Sequence, residues 1–324
     1  MNNNSDITNW LPYNLNATDG YSCKWVYTDK IEYTEPFFSE TIGRCFSHTF
    51  NSSKFKSYSD INVLPEWVSS LNCVAPTAFI FHVSRCGSTL ISQLLGLSNR
   101  HIVLAEVTFI DEMLRLTKTN TLIPEFDTEQ LLQAAIAIYG QNRSGLKERL
   151  FIKADSWHIH FMPLLRKLYP QVPFILLYRR PDEVIRSHQK LRGMQAVPGV
   201  VPNEFLGIDP NSTSATDLDG HMAKVLESYF SAFIRESQRD PRTLLLNYNE
   251  GIMSIMQSFC NFTGVTLHVN DWEEIIKRSQ YNAKYPEQIF TEVQPIEAAP
   301  SYQQQAFTLY NQLEELRMAQ ALPK

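Results

Sequence analysis

Cysteine is scarce. Five residues, Cys23, Cys45, Cys73, Cys86 and Cys260, are scattered through 324 positions. They form neither a disulfide framework nor a metal-ligand spacing, and no metal is expected. The expectation is a reducing, cytoplasmic setting. Excess positive charge is also missing. The formal net charge is −5, which argues against a general nucleic-acid surface and requires any anion site to be a local pocket. No run of about 18 apolar residues occurs, so no membrane span is predicted. Met1 to Asn9 is polar and Asn-rich, without the basic-then-apolar pattern of a secretory signal. There is no internal repeat. What remains is a composition 44% hydrophobic and 19% charged, that of a folded globular protein.

The chain is organised around Thr77 to Leu95. Thr77-Ala-Phe-Ile-Phe-His-Val83 is a short apolar run rich in β-branched and aromatic residues, as in a strand covered on both faces. Ser84-Arg85-Cys86-Gly87-Ser88-Thr89 reads as a loop. Leu90, Ile91, Leu94 and Leu95 then recur at helical spacing. A strand that turns through small residues into a helix aims backbone N–H groups at one point, and the helix dipole adds to them. Arg85 contributes fixed charge, and Ser88 and Thr89 contribute hydroxyls. The loop lacks the lysine of the nucleotide-triphosphate motif, because Gly87 stands before the Ser-Thr pair. A phosphatase loop around a Cys86 thiolate would close on an arginine where Ser92 stands. Cys86 is therefore expected to be a small residue packed beneath the loop.

Downstream the pattern alternates. Strands are predicted at His101–Glu106, Arg149–Asp155, Val172–Arg179 and Arg242–Tyr248. Helices are predicted at 110–116, 128–139, 157–169, 182–191, 219–238 and 251–262. Such alternation gives an α/β fold with a parallel sheet, whose ligands bind at the carboxyl ends of the strands. Glu106, Lys153, Asp155, Arg179, Arg180 and Tyr248 all fall at those ends. Upstream, residues 1–20 read as a loose leader and 51–60 as a linker. Residues 21–50 read as a short aromatic-rich layer, and Leu64–Val68 as a helical turn with Pro65 near its start.

The fourth strand carries a second motif, Leu177-Tyr-Arg-Arg-Pro-Asp-Glu-Val-Ile-Arg-Ser-His188. Arg179 closes the strand and Ser187 follows eight positions later. A guanidinium at a strand end and a hydroxyl two turns along the adjoining helix can grip one phosphate from two sides. Arg180 and Arg186 read as surface charges.

Together the two motifs resemble the sulfotransferase family, which transfers a sulfuryl group from 3′-phosphoadenosine 5′-phosphosulfate. Arg85-Cys-Gly-Ser-Thr89 is similar to the family's [KR]-x-G-[ST]-[ST] loop, which holds the 5′-phosphosulfate. Arg179 and Ser187 are similar to its 3′-phosphate pair. Leu246-Asn-Tyr-Asn-Glu250, with Tyr248, is a weaker echo of the stretch before its last core helix. The resemblance covers roughly residues 75–265. It implies a P-loop kinase-like three-layer sandwich and donor contacts from Arg85, Cys86, Gly87, Ser88, Thr89, Arg179, Ser187 and Tyr248. Small-molecule sulfotransferases use a His after a Lys; here the comparable run is Lys153-Ala-Asp155. Tyrosylprotein and glycan enzymes use a Glu at the end of the second strand, which makes Glu106 the preferred base. Asp155, His158 and His160 are its rivals. Lys153 is expected near the transferring group.

The expectation is thus an N-terminal elaboration, 1–70, before a sulfotransferase-like domain, 71–324, that sulfates a hydroxyl or amine acceptor without a metal. The acceptor, a small molecule, glycan or peptide, is not named by the sequence, and neither is the oligomeric state. The early N-terminal segment and residues 192–220, rich in Pro, Gly and Ser, are expected to shape the acceptor pocket. Two alternatives stay open: a small-molecule P-loop kinase, and a non-catalytic protein that binds the donor or its product.

Overall fold

The computed structural model describes residues 7–17, 20–52, 56–119, 127–210, 214–281 and 300–321. The strands are β1 Trp10–Asn16, β2 Ser22–Tyr27, β3 Ser57–Asp60, β4 Pro76–His82, β5 His101–Ala105, β6 Arg149–Lys153, β7 Phe174–Tyr178 and β8 Thr243–Asn247. The helices are α1 Phe38–Phe46, α2 Leu64–Val68, α3 Ser88–Leu95, α4 Thr108–Thr119, α5 Thr128–Tyr139, α6 Met162–Leu168, α7 Pro181–Lys190, α8 Asn203–Leu206, α9 Leu218–Arg239, α10 Ile252–Thr263, α11 Val269–Ser279 and α12 Gln304–Ala321. Five strands form a parallel sheet in the order β5-β6-β4-β7-β8, as the alternating pattern predicts. Every residue of β5 and β7 is buried, which is why these strands read as continuous apolar runs. No described helix is long and apolar enough to cross a membrane.

By internal contacts the chain divides into two units, residues 1–77 with 92–153, and residues 78–91 with 154–324. In the first unit β1, β2 and β3 form an antiparallel sheet. This corrects two expectations. The leader contains β1, whose Asn14 side chain and Leu15 N–H donate to Glu112 on α4 at 2.9 and 2.7 Å. The supposed linker contains β3, which is largely exposed. Backbone pairing makes it a strand, and without a buried face it has no apolar alternation to read. Residues 1–6, 18–19 and 53–55 lie outside the described residues. Deeper in this unit, Arg143 holds the turn after β2 through Thr28 and the carbonyls of Asp29 and Ile31.

In the second unit Phe79, Phe81 and Phe174 pack ring to ring beneath β4 and β7. The predicted helix over 157–169 is split into a 3-10 turn, Ser156–Phe161, and α6. Pro163 has no N–H to give an ongoing helix, so it sits in the first turn of a new one. Helix α12 packs on α9 and along β8. There Gln320 accepts from the Leu245 N–H at 3.1 Å and donates to the Thr243 carbonyl at 3.2 Å, serving the open edge of β8 as a neighbouring strand would.

Candidate active site

The β4–α3 connection is tight and strained. Ser84, Arg85 and Gly87 all have left-handed backbone, at φ 69°, 51° and 80°. For Ser84 and Arg85 such a conformation costs about 1–3 kcal/mol each, and it clusters at functional turns. Alternation of hand curls the backbone so that successive N–H groups point inward, a form that suits an anion. Gly87 is required twice over. Beyond its φ, a Cβ there would lie 2.5 Å from the Tyr248 ring. Cys86 is fully buried and its thiol points at the Leu177 carbonyl, 3.4 Å away, so its side chain packs under the loop as expected. Arg85 donates to the carbonyl of Leu191, just past the end of α7.

Strand register brings the second set together. Tyr178 of β7 is the partner of Asn247 in β8, so Arg179 and Tyr248 leave adjacent strands side by side. The Arg179 guanidinium lies 4.3 Å over the Tyr248 ring. Tyr248 therefore touches both the glycine of the first motif and the arginine of the second. Ser187 is half-buried on α7, eight residues past Arg179.

Two groups here were missed in the sequence. Glu183 accepts from Arg179 Nε and, at 3.3 Å, from the Asn249 side chain. Its position four residues after Arg179, in the first turn of a helix, was a usable signal. Helix α12 had none, being distant in sequence. Its Glu314 accepts from the Tyr178 hydroxyl and its Arg317 pairs with Glu314 and with Glu250 at 2.9 Å. Burial and the Glu314 carboxylate push the Tyr178 hydroxyl far above the ordinary tyrosine value. Burial would raise the Glu314 carboxyl, but the donors Arg317 and Tyr178 outweigh it and hold it below its ordinary value.

In the first unit, β5 and β6 pair so that Ala105 faces Lys153. The next residue, Glu106, is left-handed at φ 58° and its N–H bonds the Lys153 carbonyl at 2.9 Å. Its carboxylate meets Lys153 Nζ at 2.6 Å. The lysine side chain is 0% exposed and the glutamate 21%, so within the pair only the carboxylate opens outward. Phe37 covers the ammonium, 5.2 Å from its ring centre. Asp155 and His158 occupy one another: the Asp155 N–H donates to His158 Nδ1 at 3.2 Å, and Nε2 lies 3.7 Å from the carboxylate. His160 bonds the Leu206 carbonyl at 2.9 Å and approaches Ser228.

The chain is similar to solved sulfotransferases. The sulfotransferase domain from the Synechococcus PCC 7002 olefin synthase is 16% identical, with 78% of this chain and 98% of that one covered at a TM-score of 0.47. Sulfotransferase STF9 from Mycobacterium avium is 14% identical, with 81% of each chain covered at 0.46. Sulfotransferase STF1 from Mycobacterium tuberculosis H37Rv is 10% identical, covering 67% of this chain and 76% of that one at 0.46. No protein-family profile and no curated protein sequence matches the chain.

Proposed function

We propose that this protein transfers a sulfuryl group from 3′-phosphoadenosine 5′-phosphosulfate to a hydroxyl or amine acceptor. The observation that carries the reading is the meeting of its two anion motifs at one side chain: Tyr248 touches Gly87 of the left-handed loop and lies under Arg179. A ligand with phosphate groups at two ends fits that arrangement better than one with a single chain of phosphates.

In this reading the loop amides, Arg85, Ser88 and Thr89 meet the phosphosulfate, and Arg179 with Ser187 meets the 3′-phosphate. Glu106 takes the acceptor's proton as the acceptor atom bonds sulfur. The sulfur–oxygen bond to the 5′-phosphate breaks, and adenosine 3′,5′-bisphosphate leaves with the electron pair. Lys153 fixes the Glu106 carboxylate from below. The donor supplies its own leaving group, so the reading needs no metal.

Thermal-shift titration tests it. Adenosine 3′,5′-bisphosphate should raise the melting temperature with a concentration dependence set by its Kd. Stabilisation by ATP with Mg²⁺ and not by the bisphosphate would overturn the reading in favour of phosphoryl transfer. Labelled donor incubated with candidate acceptors then reports turnover.

A further inference from the structure

We propose that a cavity at the amino end of β5, in the first unit, binds a small monocarboxylate with an apolar body. The cavity holds about 320 Å³, the scale of a small-molecule site. Its walls come from residues 32–34, 96–103 and 141–147. His101 begins β5 and Glu106 stands five residues on, ~16 Å further along the strand, so this is a second site and not part of the first.

The turn that carries Lys147 is fixed before any ligand arrives. The Asn142 side chain donates to the Lys147 carbonyl at 2.9 Å and accepts from its N–H at 3.0 Å. Arg143 ties the same turn to Thr28 and to the carbonyls of Asp29 and Ile31. Lys147 thus lines the cavity with a side chain only 11% exposed. An ammonium has three N–H donors. One meets Glu32 at 2.8 Å, and no other described residue accepts from it. Ser98 lines the same cavity at 7% exposure, and its hydroxyl bonds no described residue. Buried polar groups are normally paired, so donors left over in one cavity call for an acceptor. The charge agrees. With His101 neutral, the lining sets Lys147 and Arg143 against Glu32 alone, an excess of positive charge in a chain of net charge −5. Leu97 and Leu146 also line the cavity and are 41% and 61% exposed, beside the buried Ile102 and Val103. An apolar body over the two leucines would take that surface out of water. A cation would meet like charge here, and a wholly polar solute would leave the leucines wet.

Calorimetric titration of the full chain with octanoate tests the proposal. The native protein should take up one octanoate per chain, saturably. Butyrate should bind roughly tenfold more weakly or worse, because it buries fewer CH₂ groups. Octan-1-ol and octylammonium have the same apolar body without the negative charge, and each should also lose roughly tenfold. Lys147→Met should weaken octanoate roughly tenfold, the scale of one charged hydrogen bond, and Ser98→Ala should weaken it several-fold. Leu97→Asp puts a negative charge at the half-open rim, should weaken octanoate roughly tenfold, and serves if Lys147→Met does not fold. Thermal unfolding of each variant checks that it is folded. No saturable uptake, equal affinity for octanoate and octan-1-ol, or a preference for octylammonium would each overturn the inference. So would native-strength octanoate binding by any of the three variants in folded form, which would place the binding elsewhere on the protein. None of these outcomes depends on adenosine 3′,5′-bisphosphate, so the donor reading stands or falls separately.

Discussion

The Arg179 guanidinium lies 4.3 Å over the ring of Tyr248, and the Cδ2–Cε2 edge of the same ring reaches Gly87 closely enough to exclude a Cβ. One aromatic side chain therefore joins two motifs that are 92 residues apart in the chain.

Arg179→Ala and Ser187→Ala should both weaken adenosine 3′,5′-bisphosphate while sparing nucleotides that lack a 3′-phosphate. For Arg179 the expected loss is about 1.5–3 kcal/mol, the scale of a charge-assisted contact. Calorimetry with the two nucleotide classes checks it; equal losses for both would remove the assignment of these residues to the 3′ end.

Gly87→Ala should destabilise the protein and abolish nucleotide binding. The left-handed φ alone costs a non-glycine residue about 1–3 kcal/mol, and the added methyl meets the Tyr248 ring. Combining it with Tyr248→Ala removes the collision but not the backbone strain. Denaturant unfolding should then show partial recovery, whereas complete recovery would mean that φ is unimportant here.

Glu106→Gln should reduce transfer by about 10²–10⁴ while donor affinity stays near that of the native protein, since glutamine keeps the size but cannot take a proton. Asp155→Asn and His158→Ala are the comparisons, because these two residues already engage each other. An active Glu106→Gln enzyme beside an inactive Asp155→Asn one, both binding donor, would move the base. Lys153→Met should instead be severely destabilising, on the order of 3–5 kcal/mol, because it strands a partly buried carboxylate.

Glu314→Gln should loosen α12 in a pH-dependent way. The native carboxyl is held below its ordinary value of 4.5, so its ionised form favours the folded state. That contribution is complete above the ordinary value and disappears as pH falls through the lowered one. Urea unfolding should show the variant less stable at neutral pH by about 1–3 kcal/mol, with the gap closing as pH falls through the lowered value. A gap that stays constant with pH would show that Glu314 acts through packing alone.

The parallel sheet was legible because its strands announce themselves. β4, β5 and β7 are buried apolar runs, and the helices between them repeat at 3.6-residue spacing. Arg85 in the loop after β4, and Glu106, Lys153, Arg179 and Tyr248 at the ends of β5, β6, β7 and β8, were legible because chemistry collects at strand ends in such sheets. The edge elements were not legible. β3 is exposed and exists through backbone pairing, and β1 was hidden by the polar stretch before it. What each candidate side chain touches was decided by the tertiary structure. Register alone sets Tyr248 under Arg179, and chain reversal alone brings Glu314 to Tyr178 from 136 positions away. Residue types at the strand ends are set in sequence, and so is the local Arg179–Glu183 pair four positions apart; contacts between strands carry no local periodicity, so the Tyr248 contacts of Arg179 and Gly87 and the Lys153 partner of Glu106 could come only from the folded chain.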